Sequence, residues 1–577
     1  LAATARRIRR RPLPTHAADW PGVPPLLQRV YAQRGVDDAA QLNLDLAALL
    51  PPGDLLGVEA AAGRLQQALE AAERVLVVGD FDADGATSSA LAVAALREFG
   101  ADVDFLVPNR FDYGYGLTPE IVALAAQRAP SLIVTVDNGI SSIEGVAAAR
   151  AARIDVLVTD HHLPGEVLPQ TPLIVNPNQP GCGFRSKHLA GVGVMFYLLL
   201  ALRARLREQD WFTRQGIAEP HLAAYLDLVA LGTVADVVPL DRNNRILVEG
   251  GLRRIRAGRA RPGIAALIEV AGRDATQVTS TDLAFALGPR LNAAGRLDDM
   301  SLGIECLLCS DAQRSRALAG ELDAMNRERQ LIERGMEREA LHALEDIRID
   351  ATRVPAALCL YDPGWHQGVV GILASRIKER FHRPVIAFAD AGGGELKGSG
   401  RGIPGLHLRD ILALVEARRP GLMGRFGGHA MAAGLSLRSE CLDAFTEQFV
   451  AAVEAQADAS CFEAVCETDG ELAAQDLSLA SAETLRFAGP WGQQFPEPRF
   501  DGEFALLEQR LVGERHLKMR LRATPGAESL DAIAFGVDTE RWPDPAVQRL
   551  RLVYRLDVNE WRGRRSLQLI VEQLEAL

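Results

Sequence analysis

Between residues 74 and 175 the chain repeats one pattern, a short aliphatic and largely β-branched run followed by an Ala-rich stretch. Arg74–Val78 (RVLVV), Val103–Val107, Leu132–Val136 and Asp155–Thr159 (DVLVT) read as buried strands, with Leu173–Val175 as one more. A helix is predicted over Gly85–Phe99. Another begins at Thr118-Pro119-Glu120, where an N-capping residue precedes a proline in the first turn. Strands that are apolar on both faces belong in parallel sheets covered by helices. The alternation therefore predicts an α/β domain built on a doubly wound parallel sheet. The longest uncharged apolar run, Leu189–Leu202, is too short to span a bilayer.

Such a sheet binds ligands outside the carboxyl ends of its strands, and that edge is where this sequence concentrates carboxylates. The first strand runs into GDFDADG, with Asp80, Asp82 and Asp84 in one turn; the third ends in VDNG, with Asp137; the fourth ends in TDHH, with Asp160, His161 and His162. A helical segment adds GTVADVVPL, whose Asp236 sits among apolar neighbours where an unpaired charge is costly. Singly these features are ordinary: a strand-end Asp is most often a helix cap, DADG can be a turn, and an HH pair is usually a surface feature. Together they crowd carboxylates that repel one another unless a cation neutralises them. Mixed oxygen and imidazole donors suit Mn²⁺ or Mg²⁺, the imidazole favouring Mn²⁺. The supply fits two ions bridged by one carboxylate, and two metals about 4 Å apart are a standard apparatus for phosphodiester or phosphoanhydride hydrolysis.

The length of 577 residues suggests roughly three to five domains. We expect an N-terminal arm over 1–50, the catalytic domain over 51–310, a long charged connecting helix over 311–350, a second and smaller α/β domain over 351–460, and a C-terminal β-barrel over 461–577. Short strands and the turn-rich GPWGQQFPEP at 489–498 carry the last assignment. The net charge of −12 does not advertise nucleic-acid binding. Cationic residues are nevertheless concentrated locally, in RRIRRR at 6–11, read as a phosphate contact or a flexible end, and in HLKMRLR at 516–522, where apolar and basic residues alternate as on a strand with one cationic face. Seven irregularly spaced cysteines make no disulfide framework and point to a reducing cytoplasm; Cys306/Cys309 and Cys461/Cys466 read as buried thiols.

DADG, VDNG, DHH and the later Asp236 resemble motifs I–IV of the DHH phosphoesterase family. GSGRG (398–402) and GGH (427–429) resemble that family's DHHA1 domain. LGPRLNAAGRL (287–297) and WHQGVVGI (365–372) are similar to one branch of the family, the single-strand-specific exonucleases, and that likeness covers nearly all of 50–577. The resemblance implies a 5′→3′ exonuclease for single-stranded DNA that uses Mn²⁺ or Mg²⁺, releases 5′-mononucleotides and serves recombination and repair. It implies an OB-fold for the C-terminal barrel, a monomer in the cytoplasm, and a RecQ-type helicase and a single-stranded-DNA-binding protein as partners. Carried over by motif, Asp84, Asp137, His161 and Asp236 match one metal site, and Asp82 with the bridging Asp137 the other. Relatives that cut small substrates have a histidine at the place of Val78; here Asp80 is assigned its role. Asp160 and His162 then orient ligands or substrate.

For the charge that builds on phosphate oxygens in the transition state, the candidates are His429, Arg290 and Arg296, with Asn292 as a polar donor. Ser399 and Arg401, in a Gly-rich loop, suit a substrate phosphate. Arg110 is the candidate for a 5′-phosphate pocket, with Ser399 and Arg401 as its partners. Tyr113 and Tyr115 are read as packing residues, with base stacking as the alternative. Lys518, Arg520 and Arg522 are groove candidates on the barrel; Trp491 and Trp561 are read as core, with base stacking as the alternative. Competing readings are a DHH-family pyrophosphatase or phosphodiesterase for small substrates, which a much shorter chain would serve, and an inactive replication scaffold, against which the complete Asp/His set argues.

Overall fold

Val75–Val78 are all buried, and so is every residue of Leu132–Val136. Strands of this kind cannot stand at a solvated face, and each is flanked by parallel neighbours. β2 (Arg74–Gly79), β3 (Asp102–Leu106), β4 (Leu132–Val136), β5 (Asp155–Thr159) and β6 (Ile174–Val175) form an all-parallel sheet in the order β3-β2-β4-β5-β6. The chain passes from β2 outward to β3 through helix α1 (Ala83–Glu98), then returns to place β4 on the other side of β2. The order reverses between β2 and β4, the position at which an open α/β sheet leaves a crevice at its carboxyl edge. β2 leads into Asp80, Asp82 and Asp84, and β4 into Asp137.

The computed structural model describes residues 6–13, 20–109, 113, 116–346 and 354–577, the last four residues of the first long helix below (343–346) by backbone alone. They divide into two units: Arg11–Asn326 with Asp469–Leu577, and Arg327–Thr468 with the N-terminal residues through Arg10. The larger unit holds the parallel sheet, the helices α2 (Gly191–Glu208), α3 (Leu226–Ala235) and α4 (Gly288–Leu297), and a closed barrel of β13 (Phe500–Val512), β14 (His516–Arg522), β15 (Leu530–Ala534), β16 (Arg549–Trp561) and β17 (Arg564–Ala576). Sheet residues such as Val77 and Val134 share one apolar cluster with barrel residues such as Leu517 and Leu552. Residues 20–50, read as an arm, are built into the same cluster through Trp20, Leu27, Val30 and Tyr31. Tyr31 stacks on Trp491 and Phe495, with ring centroids 6.0 and 6.3 Å apart.

The smaller unit contains a mixed sheet in the order β10-β11-β9-β8-β7, made of β7 (Leu358–Tyr361), β8 (Val385–Gly392), β9 (Glu395–Arg401), β10 (Phe426–Gly428) and β11 (Ala432–Arg438). Helix α6 (Val370–Phe381) packs on β8 and β9. The long helix α5 spans Ala312–Asp346 and passes from the larger unit into the smaller at Asn326–Arg327. The RRIRRR segment is neither a loose end nor an isolated cationic patch: β1 (Arg7–Arg10) pairs in parallel with β12 (Val465–Thr468), and Arg9 meets Glu467 at 2.7 Å. No helix among the described residues is long and apolar enough to cross a membrane.

Candidate metal centre and substrate-binding residues

The motif that follows β2 is shaped by its own hydrogen bonds. Asp82 caps α1, its Oδ1 accepting from the amides of Asp84 at 2.9 Å and Gly85 at 3.0 Å. Asp84 turns inward and is 1% exposed. Its two carboxylate oxygens accept from the first amides of α2, Gly191 N at 2.6 Å and Val192 N at 3.0 Å, so the positive end of that helix faces the charge. Asp137, after β4, adopts φ 61°, a left-handed conformation that costs a non-glycine residue about 1–3 kcal/mol. Neighbouring Asn138 is spent on holding the strand ends together, donating to Val78 O at 3.1 Å and Val136 O at 2.9 Å.

These elements bring two donor sets together. Asp84, His161 and Asp236 form one, and Asp80, Asp82 and Asp137 the other; Asp137 also groups with His161 and His162, and within each set the donor atoms lie within 4.8 Å of one another. Asp137 touches both, since its Oδ1 is 3.0 Å from His161 Nε2, while Asp236 Oδ2 lies 3.5 Å from the same nitrogen. Burial, reinforced by neighbouring carboxylates, holds Asp84, Asp137 and Asp236 well above the usual carboxylate range. Burial also pulls His161 down to about 4, so the ring is neutral at physiological pH. The ring hydrogen-bonds the Leu189 backbone, which leaves Nε2 as the atom facing the carboxylates. Neither His161 Nε2 nor Asp236 Oδ2 has a hydrogen-bond partner among the described residues. A lone pair aimed at two carboxylates is repulsive until a cation lies between them, and the donor chemistry fits divalent ions.

Asp160 does a different job. One carboxylate oxygen accepts from the amides of His161 at 2.7 Å and His162 at 3.0 Å and contacts His162 Nδ1 at 2.8 Å; the other accepts from Ile140 N at 2.9 Å. With both oxygens engaged, Asp160 fixes the His-His turn. Burial alone lowers the pKa of His162, but Asp160, helped by Asp80 and Asp82, carries it up to about 8. Asn176 and Asn178 complete the clamp, donating to His162 O at 2.9 Å and His161 O at 2.6 Å. Sequence reasoning does not single out either one; their only local signal is the Asn-Pro-Asn that follows β6.

Gly191 is equally silent in the sequence, and its role is steric. A Cβ at this position would lie 2.7 Å from Asp137 Cβ and 2.9 Å from its Cα, while its amide holds Asp84. Gly191→Ala is expected to push Asp137 out of place and weaken Mn²⁺ binding by about 10–100-fold, the range seen when residues that support metal ligands are lost. Calorimetric titration of the cation-free protein reads this directly, and unchanged affinity would refute it.

The other predicted residues fall into separate places. Arg290 is committed to Asp323 at 2.8 Å and to Ala286 O at 2.5 Å, tying α4 to α5. Asn292 Oδ1 accepts from Ala83 N at 2.8 Å, holding the start of α1. Asn292 therefore braces the motif-I turn. Arg296 is half-buried on α4.

In the smaller unit, Ser399 and Arg401 alternate on β9, and Arg401 pairs in register with Ala432 beside the turn that carries exposed His429. Burial lowers the pKa of Arg401. Its Nε reaches Ser375 Oγ at 3.1 Å, and no carboxylate pairs with it among the described residues. Gly371 leaves room for the guanidinium: a Cβ there would sit 2.9 Å from Arg401 Nη2.

On the barrel, Leu517, Met519 and Leu521 are buried, while Lys518, Arg520 and Arg522 point outward. Lys518 stands across from Arg510, and Arg520 is held by Ser529 at 2.7 Å and Glu508 at 3.4 Å. Trp491 is core, but Trp561 is 68% exposed at the end of β16, which overturns its reading as a core residue. Tyr113 packs against the apolar cluster on the sheet face opposite α1, whereas Arg110 and Tyr115 lie outside the described residues. Cys306 and Cys466 are buried; Cys309 and Cys461 are half-buried.

A parallel sheet that gathers five aspartates and a histidine at its switch point is the architecture of the DHH phosphoesterases, and the N-terminal domain of the DHH family matches residues 74–233. The DHHA1 domain matches 354–455, and the RecJ OB domain matches 468–573. The single-stranded-DNA-specific exonuclease RecJ of Dickeya dadantii is 60% identical over 98% of this chain and 99% of its own length. The protein of the same name from Escherichia coli is 56% identical over the same shares. The crystal structure of Thermus thermophilus RecJ in complex with Mn²⁺ is 32% identical, covers 99% of this chain and 80% of its own, and superposes with a TM-score of 0.81. The chain belongs to the RecJ family.

Proposed function

We propose that this protein is a single-stranded-DNA-specific 5′→3′ exonuclease that hydrolyses phosphodiesters with two divalent cations, Mn²⁺ or Mg²⁺, and releases 5′-mononucleotides. The observation that carries the reading is the pair of donor sets brought together at the switch point by the 3.0 Å contact of Asp137 with His161, in a chain 60% identical over nearly its whole length to a single-stranded-DNA-specific exonuclease. Asp84, His161 and Asp236 would hold one ion and Asp80, Asp82 and Asp137 the other, Asp137 bridging. When bound, such a pair supplies Lewis acidity at the attacking and leaving oxygens.

The chain's own residues do the rest. Asp160 fixes the His162 ring through Nδ1, 2.8 Å away, and the imidazole, carried up to about 8, would bring positive charge to a phosphate oxygen as charge accumulates there. Asn292 and Asp82 hold the motif-I turn in shape, and Arg290 ties α4 to α5. Ser399 and Arg401, a buried guanidinium without a carboxylate partner among the described residues, bind a phosphate of the strand, and His429 stands beside them. The outward row Lys518, Arg520 and Arg522 tracks the backbone and the exposed Trp561 offers a stacking surface, a local positive path being enough for a chain of net charge −12. Arg110 is kept as a 5′-phosphate contact on the family resemblance alone. We place the enzyme in the cytoplasm as a monomer serving recombination and repair, working with a RecQ-type helicase and a single-stranded-DNA-binding protein.

The test is digestion of single-stranded DNA with Mn²⁺, labelled at the 5′ or the 3′ end, beside duplex DNA and pyrophosphate. The expected result is immediate release of the 5′ label as a mononucleotide, with duplex and pyrophosphate intact. Earlier loss of the 3′ label would reverse the polarity. Cleavage of pyrophosphate or dinucleotides alone would return the small-substrate reading.

A further inference from the structure

Phe285 is 79% exposed, more than any other large hydrophobic side chain among the described residues. It stands on Leu283–Leu287, one π-helical turn that runs into α4. Leu283, Ala286 and Leu287 enter the core, and Phe285 is left facing outward. A π-turn sacrifices hydrogen-bond geometry, and such turns gather at functional sites. Its position is set by Gly288, where a Cβ would come 3.3 Å from Ala235 Cβ, so the turn is seated on the last residue of α3 and next to Asp236. Val237 follows Asp236 with φ 61° and is 61% exposed. That conformation is a genuine outlier for a β-branched residue. Two apolar side chains, each held toward water by an uncommon backbone, thus stand on the two segments that meet at Ala235, the residue before Asp236 of the carboxylate and imidazole centre.

A phosphodiester in a nucleic-acid strand arrives with a base on either side, and an unpaired base offers a free apolar face. From this we propose that Phe285 stacks on a nucleobase adjacent to the scissile phosphate, with Val237 supporting the ring. The inference rests on the exonuclease reading above and adds a base contact to it. A base in duplex has both faces stacked already, so the same contact favours single strands without reading sequence.

The experiment is an abasic scan. A 5′-phosphorylated oligonucleotide carrying a single abasic site at successive positions is digested with Mn²⁺ by the wild-type protein, Phe285→Ala and Phe285→Trp. For wild type, one position near the 5′ end is expected to raise KM about tenfold when abasic. Phe285→Ala is expected to raise KM about tenfold on the intact strand, with kcat changed less than threefold, and to abolish the penalty at that one position. Phe285→Trp is expected to keep it. An unchanged melting temperature for Phe285→Ala excludes a structural origin, which would also not be specific to one nucleotide. If Phe285→Ala leaves KM and the abasic penalty as in wild type, the stacking contact is refuted and the exonuclease reading stands. If wild type leaves the intact strand uncut, both fail.

Discussion

Asp137→Asn is expected to lower hydrolysis of single-stranded DNA by on the order of a thousand-fold or more, and at the same time to raise the melting temperature of the cation-free protein. Both effects follow from one placement. Asp137 belongs to the donor set of Asp80 and Asp82, reaches His161 Nε2 of the other set at 3.0 Å, and is 1% exposed. A residue that merely supports a ligand is worth about 10–100-fold, and a carboxylate serving two ions exceeds that. Without cations, the same carboxylate must take up a proton or stand as a buried charge among Asp84, Asp82, Asp236 and Asp80, all of which raise its pKa after burial itself. Asparagine removes the charge and keeps the shape. It also tolerates φ 61° as aspartate does, whereas alanine would add strain. A gain of about 1 kcal/mol moves the midpoint of a unit this size by about one degree. Steady-state digestion and scanning calorimetry in chelator read the two effects. Near-wild-type activity would remove Asp137 from the centre, and a lower melting temperature would show that its charge is compensated by the protein alone.

The parallel sheet and its acidic edge were legible because both are local properties of the sequence. Strands buried on two faces must read as unbroken aliphatic runs, and RVLVV, LIVTV and DVLVT do. Residues that follow such strands must lie at one edge, so Asp80, Asp82, Asp84, Asp137 and His161 belong together before any contact is known, and Asp236 joins them as a charge that its apolar neighbours cannot satisfy. The barrel is visible in the same way, from the alternation of HLKMRLR, whose Leu517, Met519 and Leu521 face inward.

What stays hidden depends on partners far along the chain. The hold of Asn292 on the start of α1 depends on Ala83 N, 209 positions away. The ion pair of Arg290 with Asp323 on α5 is likewise invisible in either segment alone. The supposed N-terminal arm carries no motif that announces its role. Its Arg34 nevertheless forms a fully buried, bidentate pair with Asp469, 435 positions on, at 2.8 and 3.0 Å. Trp561 defeats the rule that tryptophans are core because it follows a strand into a hairpin turn, with Arg562 at φ 51° and Gly563 at φ 74°. A left-handed pair of this kind ends a strand in solvent.

Removing the cations is expected to make stability fall as pH rises, and restoring Mn²⁺ should abolish that slope. Asp84 is raised from 3.8 to about 7, first by burial and then by Asp82; Asp137 and Asp236 are raised well above 3.8, also chiefly by burial. In the folded, cation-free protein these groups hold their protons where the unfolded chain has lost them. More protons bound in the folded state means that unfolding free energy decreases with increasing pH, from about pH 4 up through the folded-state values. For Asp84 alone the loss is about 4 kcal/mol by pH 7, because a proton kept through one further pH unit is worth about 1.4 kcal/mol. A divalent ion binds only the deprotonated set, so its stabilisation grows over the same range and its binding releases protons. Melting curves from pH 5 to 8 in chelator and in Mn²⁺ should therefore diverge as pH rises, and titration in buffers of different ionisation enthalpy should register the protons released. Parallel curves would mean that the three carboxylates ionise without cost in the folded protein, and the case for a cation-neutralised centre would fall with them.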